Sequence, residues 1–261
     1  MEHLSVMDIE LPLQALQRRV NTLEKVVQLI AGTLDEPVLR QINSDRGFRY
    51  EKPDIRHFCV LKAVRVVSAL NASIVLAREG YTQEIGVLMR TLAEFATHID
   101  FVLDRDDSEE HRSKVKQYIE AFFADTRRDP EAEIKKAQVP QGAVHALLGK
   151  TLDKLAEEYS STDGRVPAAN LYSNIYRIFS NYVHGKYPEI MDCFGGRPGK
   201  FHLSGMSGTR KDVENLATID TFIATASNSL IHIIQGLGMR ELLQSNQGLA
   251  SWYKETIERQ P

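Results

Sequence analysis

An arginine and a histidine seven positions apart are the residues of this sequence whose types and spacing could carry out chemistry. Arg177 and His184 lie in the stretch Tyr-Arg-Ile-Phe-Ser-Asn-Tyr-Val-His-Gly, which ends at Gly185. Seven positions are about two turns of an α-helix at roughly 3.6 residues per turn, so both side chains project from one face if the stretch is helical. Ser180 lies between them on that face, and Asn181 is its neighbour. The sequence therefore predicts a polar constellation on one helix face.

This pair suits the cleavage of RNA without a metal ion. In that reaction the 2′-hydroxyl of one nucleotide attacks the adjacent phosphorus, and a permanent cation stabilises the charge that grows on the phosphorane oxygens. We assign the cation to Arg177 and the proton transfer, as general acid or base, to His184. Gly185 is expected to end the helix directly after His184, and a helix C-terminus favours a protonated imidazole. No metal site and no other cofactor is expected.

A structural interpretation of the same pair stays open. Phe179 and Tyr182 indicate that this helix also packs against a core. Arg177 would then pair with a buried carboxylate such as Glu94, and the pair would serve packing alone.

The residues after the pair form a basic stretch, 185–211, which we call the Gly-rich loop. It holds six glycines and two prolines, too many for a helix, so we expect a flexible loop. Its basic and aromatic residues are Lys186, Tyr187, Phe194, Arg197, Lys200, Phe201, Arg210 and Lys211. Cations contact phosphates, and aromatic rings stack on unpaired bases. We therefore expect an RNA-binding surface, with contacts from Lys186, Tyr187, Arg197 and Lys200.

Helical periodicity dominates the rest of the sequence, and outside Lys200–Leu203 no alternation typical of a strand is seen. The expected helices are Leu13–Leu34, one capped by Asp54 and running to Glu79, Thr82–Leu103, Ser108–Arg127, Gln141–Tyr159, Ala168–Val183, Val213–Gln244 and Leu249–Ile257. Residues 35–53 are expected to be a loop, and Gly80 is expected to be a left-handed C-cap between two antiparallel helices. The predicted fold class is all-α: a multi-helix bundle with the Gly-rich loop before the last long helix.

The first helix has a heptad pattern. Its apolar residues are Leu13, Leu16, Val20, Leu23, Val27, Ile30 and Leu34. This strict alternation of three and four is the seam of a coiled coil, and Arg19 with Glu24 could pair across a parallel dimer. Packing of the helix against its own domain is the other interpretation. We divide the chain into residues 1–50, an N-terminal helix and loop for packing or dimerisation, and residues 51–261, a helical domain.

The net charge and the cysteine content limit the classes of protein to which this chain can belong. The 261 residues carry a formal charge of −3, so any phosphate-binding surface must be a local patch. Two distant cysteines exclude a disulfide scaffold and fit a reducing compartment. We find neither a signal peptide nor a membrane span in the sequence, so we expect a cytoplasmic protein.

The residues described above resemble the HEPN superfamily, helical bundles whose nucleases carry an Arg, four to six further residues and then a His. The segment that begins at Gly80 contains Arg-x-x-x-Glu as Arg90 and Glu94, and Ser180 to Gly185 gives Ser-x-x-x-His-Gly. Together these segments resemble a widespread bacterial branch of the superfamily. The resemblance covers roughly residues 54 to 240.

The resemblance implies a bundle that dimerises so that two Arg-His helices face each other, with a role in toxin–antitoxin or phage-defence systems. The implied partners are RNA, a second copy of the chain, and an antitoxin or another defence protein, with no membrane. Arg90 and Glu94, with Ser180 and Asn181, are expected to orient the catalytic pair. A purely structural ion pair between Arg90 and Glu94 is the alternative.

Two hypotheses about function follow. Family nucleases usually place Asn, Asp or His directly after the Arg, whereas this chain has Ile178. Some branches of the superfamily are non-catalytic binding modules. The first hypothesis is a metal-independent endoribonuclease that uses Arg177 and His184, and the alternative is a non-catalytic, HEPN-like interaction module.

Overall fold

The structure, a computed structural model, describes residues 9–42, 45–105, 107–124, 178–244 and 246–258. The helices are α1 (Glu10–Ala31), α2 (Ile55–Glu79), α3 (Thr82–Val102), α4 (Glu109–Phe123), α5 (Tyr187–Met191), α6 (Lys211–Gly236), α7 (Arg240–Gln244) and α8 (Gln247–Glu258). Residues 178–183 are also helical. The predicted all-α class is confirmed. The helix expected at Gln141–Tyr159 and the first part of the one expected from Ala168, including Arg177, lie outside the described residues.

Helix α2 lies at the centre of the core. It packs against α1, α3 and α6, and α6 also packs against α1 and α3. Phe58 and Leu70 of α2, Leu92 of α3 and Ile219 of α6 are fully buried. Burial of each such side chain stabilises the fold by about 1.5–3 kcal/mol. By length and composition α2 is also long and apolar enough to cross a membrane, and 56% of its apolar window is buried inside the fold.

The heptad seam of α1 packs within its own chain. The six seam residues from Leu13 to Ile30 are all buried in the core that α2 and α6 share. Arg19 forms an ion pair with Asp220 of α6. The self-packing interpretation is therefore confirmed. The dimer-seam interpretation, with Arg19 and Glu24 paired across two chains, is wrong because the seam is already covered.

Both ends of α2 follow the sequence prediction. The Asp54 carboxylate accepts hydrogen bonds from the backbone N–H groups of Arg56 and His57, and His57 Nδ1 lies 2.7 Å from Asp54 Oδ1. Burial alone would raise the pKa of Asp54, but the hydrogen bonds from His57 and Arg56 lower it to about 2. At the other end Gly80 adopts φ 75°, which confirms the left-handed cap.

The α2–α3 turn also anchors the end of the Gly-rich loop. The backbone N–H of Met206 donates to the carbonyl of Gly80 (2.8 Å). A Cβ atom at Gly80 would lie only 2.1 Å from the backbone nitrogen of Ser207. Glycine is thus required at position 80 twice, for its positive φ and for this close approach.

Three local predictions are wrong. Within residues 35–53 the chain forms an antiparallel hairpin of β1 (Val38–Ile42) and β2 (Asp45–Arg49), with Leu39 opposite Phe48. The Gly-rich loop contains the short helix α5, because Pro188 at its start favours helix entry. The last long helix is interrupted by Gly238, whose φ of 68° is incompatible with helix, so α6 and α7 are separate.

Candidate functional site

The helical residues 178–183 dock on α3 and α6 through two aromatic side chains. The Phe179 ring packs edge-on against Phe222 of α6, with centroids 5.1 Å apart. The Tyr182 ring lies on the backbone of α3 at Gly86, where an added Cβ would come within 2.4 Å of the Tyr182 Cγ atom. Gly86 therefore creates the slot that lets this helix approach α3. A glycine inside the apolar pattern of α3 was the sequence signal for this close approach.

The helix formed by residues 178–183 ends at His184. The backbone N–H of Lys186 donates to the carbonyl of Asn181 (3.1 Å), and that of Gly185 donates to the carbonyl of Tyr182 (3.2 Å). With Gly185 at φ 55°, these bonds form a Schellman motif in which His184 is the C-cap residue. The prediction that Gly185 ends the helix next to His184 is confirmed.

His184 is exposed at this helix end. The backbone N–H of His184 donates to the carbonyl of Ser180 (3.1 Å), and this hydrogen bond holds the His184 backbone to the last turn of the helix. An exposed imidazole in this position can exchange protons with a bound substrate. Arg177 lies outside the described residues, so its position relative to His184 stays a prediction.

Asn181 has a structural contact different from the expected one. Its amide Nδ2 donates to Glu189 Oε1 (3.0 Å), and the carbonyl of Glu189 accepts from Gln83 Nε2 of α3. Asn181 thus ties α5 to the helix that carries His184, and Gln83 ties α5 to α3. The sequence prediction that Asn181 orients the catalytic pair has no contact to support it in the described residues.

The predicted RNA-binding residues are exposed. Lys186, Tyr187, Arg197 and Lys200 all face solvent, and Tyr187 is 77% exposed. Lys186 and Tyr187 follow His184 directly in sequence, with only Gly185 between. One cation and one aromatic ring of the predicted surface therefore lie within three residues of His184 in the sequence, and both are exposed.

Residues 194–201 form a hydrogen-bonded turn within the Gly-rich loop. Phe194 and Phe201 form an antiparallel bridge, and their rings lie 5.6 Å apart. The N–H of Gly195 donates to the carbonyl of Lys200 (2.8 Å), and the N–H of Lys200 donates to that of Arg197 (3.0 Å). The turn thus presents Arg197 and Lys200 at a defined tip. Lys200–Leu203 contributes one bridge residue rather than a strand.

Lys211 does not belong to the exposed basic surface. It is 9% exposed, and its Nζ donates to Asp192 Oδ2 (2.9 Å) and Glu214 Oε2 (2.6 Å). Burial alone would lower the pKa of Lys211, but the hydrogen bonds to Glu214 and Asp192 outweigh it and raise the pKa. Lys211 therefore fastens the Gly-rich loop to the start of α6.

Arg90 and Glu94 form the ion pair that their spacing predicted. Arg90 Nη1 donates to Glu94 Oε2 (2.9 Å), and the two side chains are 12% and 21% exposed. His98 Nε2 lies 3.9 Å from the other Glu94 oxygen, and the buried His98 ring packs edge-on against Tyr118. The structural contact of this pair is confirmed. Its proposed role in orienting Arg177 or His184 stays a prediction.

Sequence reasoning missed Lys62, a buried lysine on α2. Its ammonium group lies 4.7 Å from the ring centroids of Phe95 and Phe122 and 5.4 Å from that of Phe58. Burial lowers the pKa of Lys62 to about 8, although the nearby charge of Glu94 opposes this shift. The signal was a lone lysine inside the apolar run Val-Leu-Lys-Ala-Val. In the part of the chain that the structure describes, no three His, Cys, Asp or Glu side chains are grouped to hold a metal ion.

The comparisons with known proteins give one match. A family described as "Family of unknown function (DUF5677)" matches residues 56–201, more than half of the chain. The matched span contains α2, α3, α4 and the helix that ends at His184, so it includes the candidate site. No curated protein and no solved structure matches the chain.

Proposed function

We propose that this chain, which belongs to DUF5677, a family of unknown function, is a metal-independent endoribonuclease. Its catalytic residues in this proposal are Arg177 and His184. One observation carries the proposal, the exposure of His184 at the C-cap of a helix that packs closely on α3 and α6. The docking of Phe179 and Tyr182 positions the backbone at His184, and the exposure of the side chain gives a substrate access to the imidazole.

The chemistry follows from the charges around this position. The RNA backbone binds to the exposed cations Lys186, Arg197 and Lys200, and an unpaired base stacks on the Tyr187 ring. His184 transfers a proton during attack of the 2′-hydroxyl on phosphorus, and Arg177 stabilises the phosphorane. The products of this reaction are a 2′,3′-cyclic phosphate and a 5′-hydroxyl.

Cleavage of structured or transfer RNA by the purified chain in EDTA tests the proposal. The expected result is cleavage with 2′,3′-cyclic phosphate ends, abolished by Arg177→Ala and by His184→Ala. Helical circular dichroism of both variants must match the wild type, so that loss of the fold is not mistaken for loss of chemistry. Cleavage that survives in both variants ends the hypothesis.

We extend the proposal to a cytoplasmic homodimer in a toxin–antitoxin or phage-defence system. The supporting observation is that Val183 and Ile190, apolar residues on either side of His184 in the sequence, are 49% and 48% exposed. Exposed apolar side chains that lie together in a patch mark protein–protein interaction sites. Because the α1 seam is buried, a dimer must use another surface. Light scattering that gives a dimer for the wild type and a monomer for Val183→Asp with Ile190→Asp would support this, and a monomeric wild type would contradict it.

A non-catalytic interaction module is the second candidate. Ile178 favours it, because this apolar residue is 48% exposed next to the position of Arg177, where a nuclease pocket would need a polar group. This candidate predicts no cleavage under any condition and RNA or protein binding that His184→Ala leaves unchanged. Its failure is shown by turnover of RNA that depends on His184.

A further inference from the structure

A cleft lies between the end of α2, the first two turns of α3 and the helix that ends at His184. Its volume is about 420 Å³, within the range of small-molecule sites. The six lining residues are Leu76, Gln83, Glu84, Val87, Leu88 and Tyr182. Tyr182 precedes His184 by two residues in the same helix. The cleft therefore borders the helix that carries His184, although His184 is not among the lining residues.

Four of the six lining residues offer apolar or aromatic surface. Leu76 and Leu88 are half-buried, and Val87 is 39% exposed although it is aliphatic. The fourth is Tyr182, which contributes an aromatic ring. Proteins that recognise RNA hold unpaired bases against such rings and against apolar side chains. A planar ligand such as a nucleobase therefore suits this part of the lining.

The polar part of the lining consists of a carboxylate, an amide and a phenol. Glu84 is exposed and forms neither an ion pair nor a hydrogen bond with any residue that the structure describes. The pKa of the Cys193 thiol is raised by burial and, to a smaller extent, by the charge of Glu84. Gln83 Nε2 donates one of its two N–H groups to the carbonyl of Glu189, so the second N–H remains a donor. Burial raises the pKa of Tyr182, so its hydroxyl stays uncharged.

The Watson–Crick edges of the RNA bases differ in how well they fit a carboxylate beside an amide N–H. Guanine presents two adjacent donors, N1–H and the 2-amino group, followed by the acceptor O6. A carboxylate accepts two parallel N–H bonds, and such charge-assisted pairs are strong. Adenine and cytosine present one donor group beside a ring-nitrogen acceptor, and uracil presents one N–H between two carbonyl acceptors. Guanine is therefore the base that offers two donors to Glu84 and an acceptor to Gln83.

We propose that this cleft binds a guanine base, with N1–H and the 2-amino group on the Glu84 carboxylate and O6 on the Gln83 amide. The proposal rests on the ribonuclease function proposed above and gives it a substrate class, RNA with an unpaired guanine. Leu76, Val87, Leu88 and the Tyr182 ring contact the base. Glu84 selects the base in this arrangement, and the proton transfer stays with His184.

Calorimetric titration of the full chain with the 5′-monophosphates of guanosine, inosine and adenosine tests the base preference. These nucleotides share the sugar and the phosphate, so their affinities differ only through the base. Inosine lacks the 2-amino group of guanosine, and loss of this hydrogen bond to a carboxylate is expected to weaken binding about tenfold. The adenosine nucleotide is expected to bind at least as weakly as the inosine nucleotide. Equal affinities for all three, or no saturable binding of the guanosine nucleotide up to tens of millimolar, overturn the proposal.

Two matched variants locate the binding. Glu84→Gln is expected to weaken binding of the guanosine nucleotide about tenfold and to abolish its advantage over the inosine nucleotide. Glu79→Gln is the control, because it makes the same change at an exposed position of α2 outside the cleft lining. Equal affinities of the Glu84 and Glu79 variants would overturn the proposal.

The titration separates this proposal from the ribonuclease assay. His184→Ala is expected to leave the affinity for the guanosine nucleotide unchanged, since His184 does not line the cleft. Guanine binding that depends on Glu84 in a chain that cleaves no RNA supports the cleft assignment and refutes the ribonuclease. Cleavage that depends on His184, together with equal affinities for the three nucleotides, refutes the cleft assignment and leaves the ribonuclease in place.

Discussion

Gly86→Ala is the substitution that most sharply tests how the His184 helix is positioned. The added methyl carbon would stand 2.4 Å from Tyr182 Cγ and 2.7 and 2.8 Å from the two Cδ atoms. Ordinary carbon–carbon contacts lie at about 3.5–4.0 Å, so the ring must move by about 1 Å or more. His184 is two residues from Tyr182 in the same helix and moves with it.

Two effects of opposite sign determine the stability of this variant. Replacing a helical glycine by alanine stabilises a helix by about 0.8–1 kcal/mol. Overpacking of a close contact costs about 1–3 kcal/mol, and rotation of the ring about its Cβ–Cγ bond cannot relieve this contact because Cγ lies on that axis. We therefore expect net destabilisation of up to about 2 kcal/mol, together with loss of any activity that depends on His184.

Urea denaturation followed by circular dichroism measures these terms in a double-mutant cycle. In a Tyr182→Ala background the clash is gone, so Gly86→Ala is expected to change sign and stabilise the fold. Gly248→Ala is the matched control, because its nearest neighbour to an added Cβ, Asn246 Oδ1, is at an ordinary 3.5 Å. Equal stabilisation by Gly86→Ala in both backgrounds would refute the proposed docking.

Three further predictions concern buried titratable groups. The pKa of Lys62 is lowered from 10.5 to about 8, so between these pH values the unfolded chain binds more protons than the folded chain. The free energy of unfolding therefore rises with pH in this window, by up to about 3 kcal/mol. Denaturation at several pH values should show this rise in the wild type and in the exposed control Lys116→Met but not in Lys62→Met. Lys211→Met leaves the carboxylates of Asp192 and Glu214 without their cation and is expected to destabilise the start of α6 by about 1–3 kcal/mol. Hydrogen exchange of the backbone amides measures this effect, and unchanged exchange at the start of α6 and in the Gly-rich loop would contradict the structural role of Lys211. Burial raises the pKa of Cys59 to about 12, so iodoacetamide with mass spectrometry should label the partly exposed Cys193 in the native state and Cys59 only after unfolding.

Local chemistry made several parts of the fold predictable from sequence. Asp54 and Gly80 mark the two ends of α2 as expected, because a capping carboxylate and a left-handed glycine act within one turn of their own position. Gly185 ended the His184 helix for the same reason. The heptad pattern of α1 did not distinguish between two packing partners, because an apolar seam packs equally well against a second copy of the helix and against the chain's own core.

Long-range contacts account for what the sequence did not reveal. Lys211 looked like one more cation of the Gly-rich loop, and only the fold brings Asp192 and Glu214 to its ammonium group. The role of Gly86 depends on Tyr182, almost one hundred residues later.

A single-turnover cleavage assay in EDTA, comparing His184→Ala with His202→Ala, tests the central claim most directly. Both histidines are exposed, and His202 lies in the same Gly-rich region without a proposed role in proton transfer. Loss of a general acid or base lowers a rate by about 10²–10⁴-fold, so the His184 variant should fall by this factor while the His202 variant retains the wild-type rate. Equal rates for the two variants, whether both high or both low, would contradict the assignment of His184.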